Sequence, residues 1–429
     1  MDHICRFSPE EYEERRRKVR ARMGREGIDA LLISTPENIY YLSGLDHMGY
    51  FAFQMLILPA KGTPLLVIRA MERATVEDQV PDLRYYGYSD GSRPLESAES
   101  SEGDGFTAVD LLDADGNLFI EPIFHRSPKS LLREGIPAVE ETCRALADAG
   151  LGGAHLAMEE GGSFITPRIA QGIKEGMDDA RWTDGTGIVD EARLIQSESE
   201  LECTRSAAII SDAMIQAGMA AAGQGVNKRE VMAAIYDAMF RRGGTYPGFV
   251  PLVRSSTSLV HEHGTWDDAN LAAEEILFLE ASGCVRRYHA PMGRLVFIGS
   301  AAESAYKAHE ICEEALLAAA GAIAPGVAAG DVYESWHAVL QRNGLSTYQR
   351  HHCGYSTGIG YPPSWSGGGA PRGLRAGSDL RLEAGMVFHL MSWLLRSDYG
   401  DSFLSDTIVI TPEGCEFITH TPRQVFIRY

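Results

Sequence analysis

The chain has 429 residues, 45% of them hydrophobic, enough for two or more globular cores. A formal net charge of -20 argues against nucleic-acid binding, which needs a basic surface to neutralise phosphates. Seven cysteines at 5, 143, 203, 284, 312, 353 and 415 are odd in number and form no C-x-x-C, which predicts reduced thiols in a cytoplasmic protein. Residues 1–20 are charged and lack the apolar core of a signal peptide, and no apolar run approaches membrane-spanning length.

Residues 9–27 predict an amphipathic helix. Ser8 is placed to cap it, and Glu10, Glu11, Glu13 and Glu14 precede the basic residues, as the helix dipole favours. Residues 29–34 read as a short buried strand and 38–42 as another apolar, aromatic piece. The loop 44–51 is crowded with aromatic and polar tips, Tyr50 among them. Two apolar runs, 54–59 and 64–69, flank Ala60-Lys61-Gly62-Thr63 in a hairpin pattern. Residues 89–115 read as an irregular insertion, 129–149 as helical and 154–159 as a strand. This alternation predicts a smaller α/β domain over 1–182, with a linker around 178–187.

From Gln196 the pattern changes. Residues 197–222 and 227–241 predict two helices, the second capped by Asn227, and Gly243-Gly244-Thr245-Tyr246-Pro247-Gly248 interrupts the run. Strand-like segments then alternate with helices at 302–320 and 332–343. The tail alternates strand and turn: 386–395, 406–411, the turn Pro412-Glu413-Gly414, then 415–419. Helices and strands in blocks predict an α+β domain over 190–429.

Two stretches of that domain carry the polar chemistry. Leu259-Val260-His261-Glu262-His263-Gly264-Thr265-Trp266 packs imidazoles, a carboxylate and an indole into eight residues, and Ile276-Leu277-Phe278-Leu279-Glu280 is a buried strand ending in an acid. A His beside a Glu is suited to shuttle a proton near neutral pH. The structural alternative is a polar loop surface.

The second domain resembles the creatinase, prolidase and methionine aminopeptidase superfamily, the pita-bread fold. The resemblance rests on five stretches in order over roughly 190–420. These are Arg193-Leu194-Ile195-Gln196-Ser197 with Glu200-Leu201; His263-Gly264 with Asp267-Asp268-Ala269-Asn270-Leu271; Glu280 through Arg294; Gly354-Tyr355-Ser356-Thr357-Gly358; and Leu382-Glu383-Ala384-Gly385-Met386-Val387-Phe388. The first domain is similar to the creatinase-type N-terminal domain, most visibly at Glu37-Asn38-Ile39-Tyr40-Tyr41-Leu42-Ser43-Gly44.

The resemblance implies five metal-ligand positions, and this chain departs at four. The positions hold Glu280, Pro291, Tyr355, Met391 and Ser405, so one carboxylate remains and no metal cofactor is expected. The second family His reads as Pro362. Creatinase is the superfamily's precedent for metal-free hydrolysis of a C–N bond. The run Gly354-Tyr355-Ser356-Thr357-Gly358-Ile359-Gly360-Tyr361-Pro362-Pro363-Ser364-Trp365 resembles the branch that includes ectoine hydrolase. Creatinase's carboxylate-binding Arg falls near Ala52, which speaks against creatine as substrate.

The expectation is a metal-independent hydrolase acting on a C–N bond of a small zwitterionic or cationic amino-acid derivative, with ectoine-like cyclic amidines favoured. His263 is the expected general base or acid. Glu262 and Glu280 hold a cationic group, or one of them attacks it. Tyr355 fills a vacated ligand site and donates to an oxyanion. Trp266, Tyr246, Phe249, Tyr361 and Trp365 form an aromatic wall. His389 faces the pocket by strand parity with Met391, Arg294 binds substrate or salt-bridges Glu280, and His351 and His352 have no assigned direction. For each of these the structural alternative is an ordinary core or loop role. A homodimer is expected, with the 46–53 loop and Tyr50 closing the partner's pocket. Alternatives are a diverged Xaa-Pro aminopeptidase, a lyase and a non-catalytic binding protein.

Overall fold

In a computed structural model the described residues are 7–88, 136–369 and 371–429. The expected insertion at 89–115, and 129–135 of the expected helix, lie outside them. The chain divides into two compact units, Met1–Asp190 and Glu191–Tyr429.

In the first unit the helix Pro9–Glu26 begins where Ser8 Oγ accepts from the Glu11 N–H and ends at Gly27, whose φ of 66° is left-handed. Its Arg15 is buried, with the guanidinium over the Phe7 and Tyr41 rings. The strands are β1 (Ala30–Ile33), β2 (Met55–Pro59), β3 (Leu65–Arg69), β4 (Arg84–Tyr88), β5 (His155–Met158) and β6 (Arg181–Asp184). They order as β4-β3-β2-β1-β5-β6, with β2–β3 the expected antiparallel hairpin.

Two local readings change. The aromatic piece at 38–42 belongs to a fully buried helix, Pro36–Ser43. Thr35 caps it without a side-chain bond to the helix N–H groups, and the buried Glu159 carboxylate accepts from the Ser34 and Thr35 N–H groups and from Asn38. The expected linker holds β6, a short and partly exposed edge strand whose polar composition resembles a linker's.

The second unit is built on a larger, mostly antiparallel sheet. Its strands are β7 (Leu252–Ser255), β8 (Ile276–Ala281), β9 (Cys284–Val285), β10 (Tyr288–His289), β11 (Met292–Ile298), β12 (Gly354–Ser356), β13 (Gly373–Leu374), β14 (Val387–Ser397), β15 (Gly400–Thr411), β16 (Gly414–Phe417) and β17 (Phe426–Arg428). The main order is β13-β12-β14-β15-β11-β8-β7, while β9 and β10 form a separate two-stranded ribbon.

Side-chain alternation gives this sheet two faces. Leu277, Leu279, Met292 and Val296 pack with Ile215 and Ile235 of the helices Glu198–Ala221 and Lys228–Arg241. Phe388, Leu390, Leu404 and Ile408 pack with Leu316 and Trp336 of the helices Glu303–Ala322 and Ala329–Arg342. The two helix pairs therefore back one face. The other carries Leu252, Phe278, Leu295, Met391, Trp393 and Phe403. The helix Glu198–Ala221 starts with a capping box between Ser197 and Glu200.

Candidate active site

Glu280 projects from β8 on the face away from the helices. Register places it in one row with Ser405 and Met391, two of the positions that the resemblance assigns to metal ligands: Glu280 opposite Gly293, Gly293 opposite Ser405, and Ser405 opposite Met391. A Cβ at Gly293 would stand 2.5 Å from the Phe403 ring and 3.3 Å from Glu280 Cβ, so the glycine is what lets Phe403 pack closely against this row beside the acid. Two residues along, Tyr355 on β12 faces His389 on β14.

These groups form a polar chain. Trp365 Nε1–H donates to Tyr355 Oη at 2.8 Å, and Tyr355 Oη lies 3.0 Å from His389 Nδ1. With the Tyr355 O–H donating to Nδ1, the imidazole proton sits on Nε2, which stands 3.7 Å from Glu280 Oε1. Burial pushes the Glu280 carboxyl up to about 7; the Arg254 guanidinium opposes that rise and Glu262 adds to it. Burial pushes His389 down to about 3, so its ring is neutral, and lifts the Tyr355 phenol far above its ordinary value. His352, edge-on to Tyr355 with ring centroids 5.4 Å apart, falls to about 4, first by burial and then by His351 and Arg350.

Arg254 on β7 is the residue that sequence reasoning missed. It points to the same face as Glu280 and is fully buried, with its guanidinium 4.1 Å from the centre of the Phe278 ring. Its Nη1 donates to the His261 carbonyl. Its signal was a lone arginine inside an apolar strand. Around it, Arg254 Nε and Nη2, His389 Nε2, Trp393 Nε1 and Ser405 Oγ are buried without a hydrogen-bond partner in the protein. All five atoms lie on the Glu280 face. Buried polar groups are normally paired, so such a cluster marks a place built to meet a ligand.

The loop bearing His263 is held at two points, Arg254 to the His261 carbonyl and Arg350 to Glu262 at 2.9 and 3.2 Å. Arg350 keeps the Glu262 carboxyl below its ordinary range and rests 4.5 Å from the Trp393 ring centre. Glu262 is thus engaged with Arg350. His263 is exposed, with its ring 6.0 Å from Phe249, which packs 5.1 Å from Trp365.

Arg294, Tyr246 and Tyr361 are engaged with other partners. Arg294 makes no contact with Glu280: it is opposite Leu279, one residue out of phase, and so points to the helix face. There it is buried against Asp406 at 2.9 Å and the carbonyls of Ser405, Thr421 and Pro422. Tyr246 and Tyr361 enclose the buried Arg287 guanidinium, at 3.8 and 5.1 Å. Trp266 is 37% exposed. Tyr50 belongs to the first unit, where it packs edge-on against Phe164.

An antiparallel sheet backed by two helix pairs, with unpaired polar atoms gathered on its other face around a buried acid, defines the catalytic-domain class to which the chain conforms. Residues 202–412 match the Metallopeptidase family M24, and 15–195 match the Creatinase/Prolidase N-terminal domain. The chain belongs to the creatinase/prolidase M24 superfamily, a family of hydrolases, with the creatinase-type N-terminal domain and the pita-bread domain in that order. An ectoine hydrolase from Halomonas elongata is 27% identical over 431 residues, spanning 98% of both chains. A Xaa-Pro dipeptidase from Pyrococcus furiosus is 21% identical over 413 residues, 96% of this chain and 99% of its own. A solved prolidase from Thermococcus sibiricus superposes with a TM-score of 0.77 at 17% identity, covering 97% of this chain and 99% of its own, and so shares the fold.

The metallopeptidase name implies divalent ions, and the donors present do not fit them. Of the five positions only Glu280 offers a carboxylate, and among the described residues no three His, Cys, Asp or Glu side chains gather as a metal site. Among the described residues no helix is long and apolar enough to cross a membrane.

Proposed function

We propose that the protein is a metal-independent hydrolase that opens a C–N bond in a small zwitterionic amino-acid derivative, an ectoine-like cyclic amidine being the favoured substrate. The observation that carries this is the gathering of unpaired Arg254, His389, Trp393 and Ser405 atoms around the buried Glu280. An acid with its pKa near 7 suits a cationic amidinium, and it can hold or release a proton at working pH. Similarity along the whole chain to an ectoine hydrolase supports the substrate class.

In this mechanism the Glu280 carboxylate faces the amidinium and takes a proton from the attacking water as the new C–O bond forms. His389 Nε2–H, fixed in that tautomer by Tyr355, donates to the oxygen of the new C–O bond as it forms. The proton then passes to the leaving nitrogen as the C–N bond breaks, with His263 as its carrier at the Phe249 side. The product is one open chain bearing an amide and a free amine, so water is the only co-reactant.

The dipeptidase reading draws on the Pyrococcus furiosus relative, but among the described residues no ligand set gathers to make a metal-bound hydroxide. The test is incubation with cyclic amidines, guanidino acids and Xaa-Pro dipeptides, with products followed by mass spectrometry. Ring-opened amide is expected. Dipeptide cleavage that depends on added metal, with the amidines untouched, would overturn the reading.

A further inference from the structure

Arg254 has no counterpart among the roles expected from the sequence, yet it is a fully buried cation on this face. Its side chain is fully buried and no ion pair joins it to Glu280. In the strand register Arg254 is opposite Phe278 while Leu252 is opposite Glu280, so the two charged groups are diagonal neighbours, roughly 7–8 Å apart at the backbone. The guanidinium carbon stands 4.1 Å from the centre of the Phe278 ring and 5.8 Å from that of Trp393, so two aromatic rings hold the cation.

The distribution of its hydrogen bonds is informative. Nη1 is taken by the His261 carbonyl, while Nε and Nη2 have no protein partner. Those two N–H groups lie along one side of the guanidinium and point the same way, which is the edge that grips a carboxylate through two parallel hydrogen bonds. A buried arginine with that edge unmet is costly unless an anion arrives to meet it.

We propose that Arg254 is the carboxylate anchor of the site: its Nε–Nη2 edge holds the carboxylate of the substrate and so presents the substrate's cationic C–N group to Glu280 and His389. This rests on the zwitterion reading above and sharpens it. The substrate class becomes amino-acid derivatives with a free carboxylate, and esters, amides and decarboxylated analogues are excluded. Arg254 and Glu280 then divide the recognition, the cation meeting the anion and the acid meeting the amidinium. The fixed positive charge on this face comes from a side chain.

The experiment compares the ring-carboxylated methyl-tetrahydropyrimidine with the same ring lacking its carboxylate. In the wild type, kcat/KM should favour the carboxylated ring on the order of 10²-fold, mostly through KM, as expected for a charged bidentate contact. Arg254→Gln should collapse that ratio toward one, and Arg254→Lys should retain part of it. A wild-type ratio near one, or an Arg254→Gln variant that keeps the full ratio, overturns the proposal. The wild-type comparison and Arg254→Lys decide the matter if Arg254→Gln does not fold. If the wild type opens neither ring, the cyclic-amidine reading fails by itself, and thermal shifts with N-acetylated amino acids and their carboxamides decide the anchor. Stabilisation of the wild type by the acids over the amides, lost in Arg254→Lys or Arg254→Gln, upholds it; equal shifts refute it.

Discussion

Tyr355 and His389 face each other in register across β12 and β14, with the phenol oxygen 3.0 Å from Nδ1 of the imidazole. With its hydroxyl donating to Nδ1, Tyr355 sets the tautomer of that imidazole. Tyr355→Phe leaves His389 Nδ1 and Trp365 Nε1–H without their partner. Stability should fall by roughly 1–3 kcal/mol. Turnover should fall roughly 10²-fold, as for loss of an aimed donor. Nitrogen NMR of His389 checks the cause: the ring proton should leave Nε2. An unchanged tautomer with unchanged turnover would remove Tyr355 from the mechanism.

Buried Glu280 carries a pH-dependent cost in stability. Its pKa is raised in the folded state, from an ordinary 4.5 to about 7, so the folded protein binds more protons than the unfolded chain between those values. Stability contributed by this group is present below about 4.5, is lost as pH rises towards 7, and stays lost above, with a total near 3 kcal/mol. Glu280→Gln should therefore be more stable than the wild type at pH 8 by denaturant melts, with the gap closing toward pH 5. Its turnover should fall roughly 10²–10⁴-fold. His389 and His289, both pushed down to about 3 by burial, work the other way and cost stability as pH falls below 6.5.

The pH profile of the free enzyme follows from the same group. With the Glu280 carboxylate as the active form, kcat/KM should rise with pH through about 7. A profile flat from pH 6 to 8 would mean that the acid does not titrate in the step.

Arg350 and Glu262 clasp the loop that carries His263. Glu262 is about half exposed, so the pair adds only about 0–1 kcal/mol to stability. Arg350→Ala should leave the melting curve nearly in place while lowering turnover by freeing the loop. His263→Ala should cut turnover roughly 10²–10⁴-fold with little change in substrate affinity. Near wild-type turnover in His263→Ala would place the proton carrier elsewhere.

The first unit exposes Met48, Phe51 and Met71 at 56%, 78% and 66%. Apolar side chains left this open are suited to association, and the protein is proposed to be a homodimer. Light scattering should give twice the chain mass for the wild type and a lower mass for Phe51→Asp. A fully active wild-type monomer would refute this.

The cluster around Glu280 was partly legible in the sequence, and the physical reasons differ by residue. Glu280 stood out because an apolar strand ended in an acid. His389 shares parity with Met391, which predicts a common face. Arg254 was not singled out because a charge on an edge strand usually points to solvent. β7 is indeed an edge, but the 256–263 loop folds over it and the His261 carbonyl binds the guanidinium. Arg294 misled because its pairing depends on a single residue of register, which puts it on the helix face with Asp406. Tyr246 and Tyr361 misled because an aromatic near a site fits equally well around a buried cation, here Arg287.

The central claim is C–N hydrolysis carried out by Glu280 and its neighbours without a metal. The most direct measurement is turnover of the carboxylated cyclic amidine before and after exhaustive chelation, with the metal content of the same sample determined by elemental analysis. Turnover should be unchanged, with far less than one equivalent of Mn, Co, Zn or Fe. A stoichiometric metal whose removal abolishes turnover, and whose return restores it, would overturn metal-free hydrolysis.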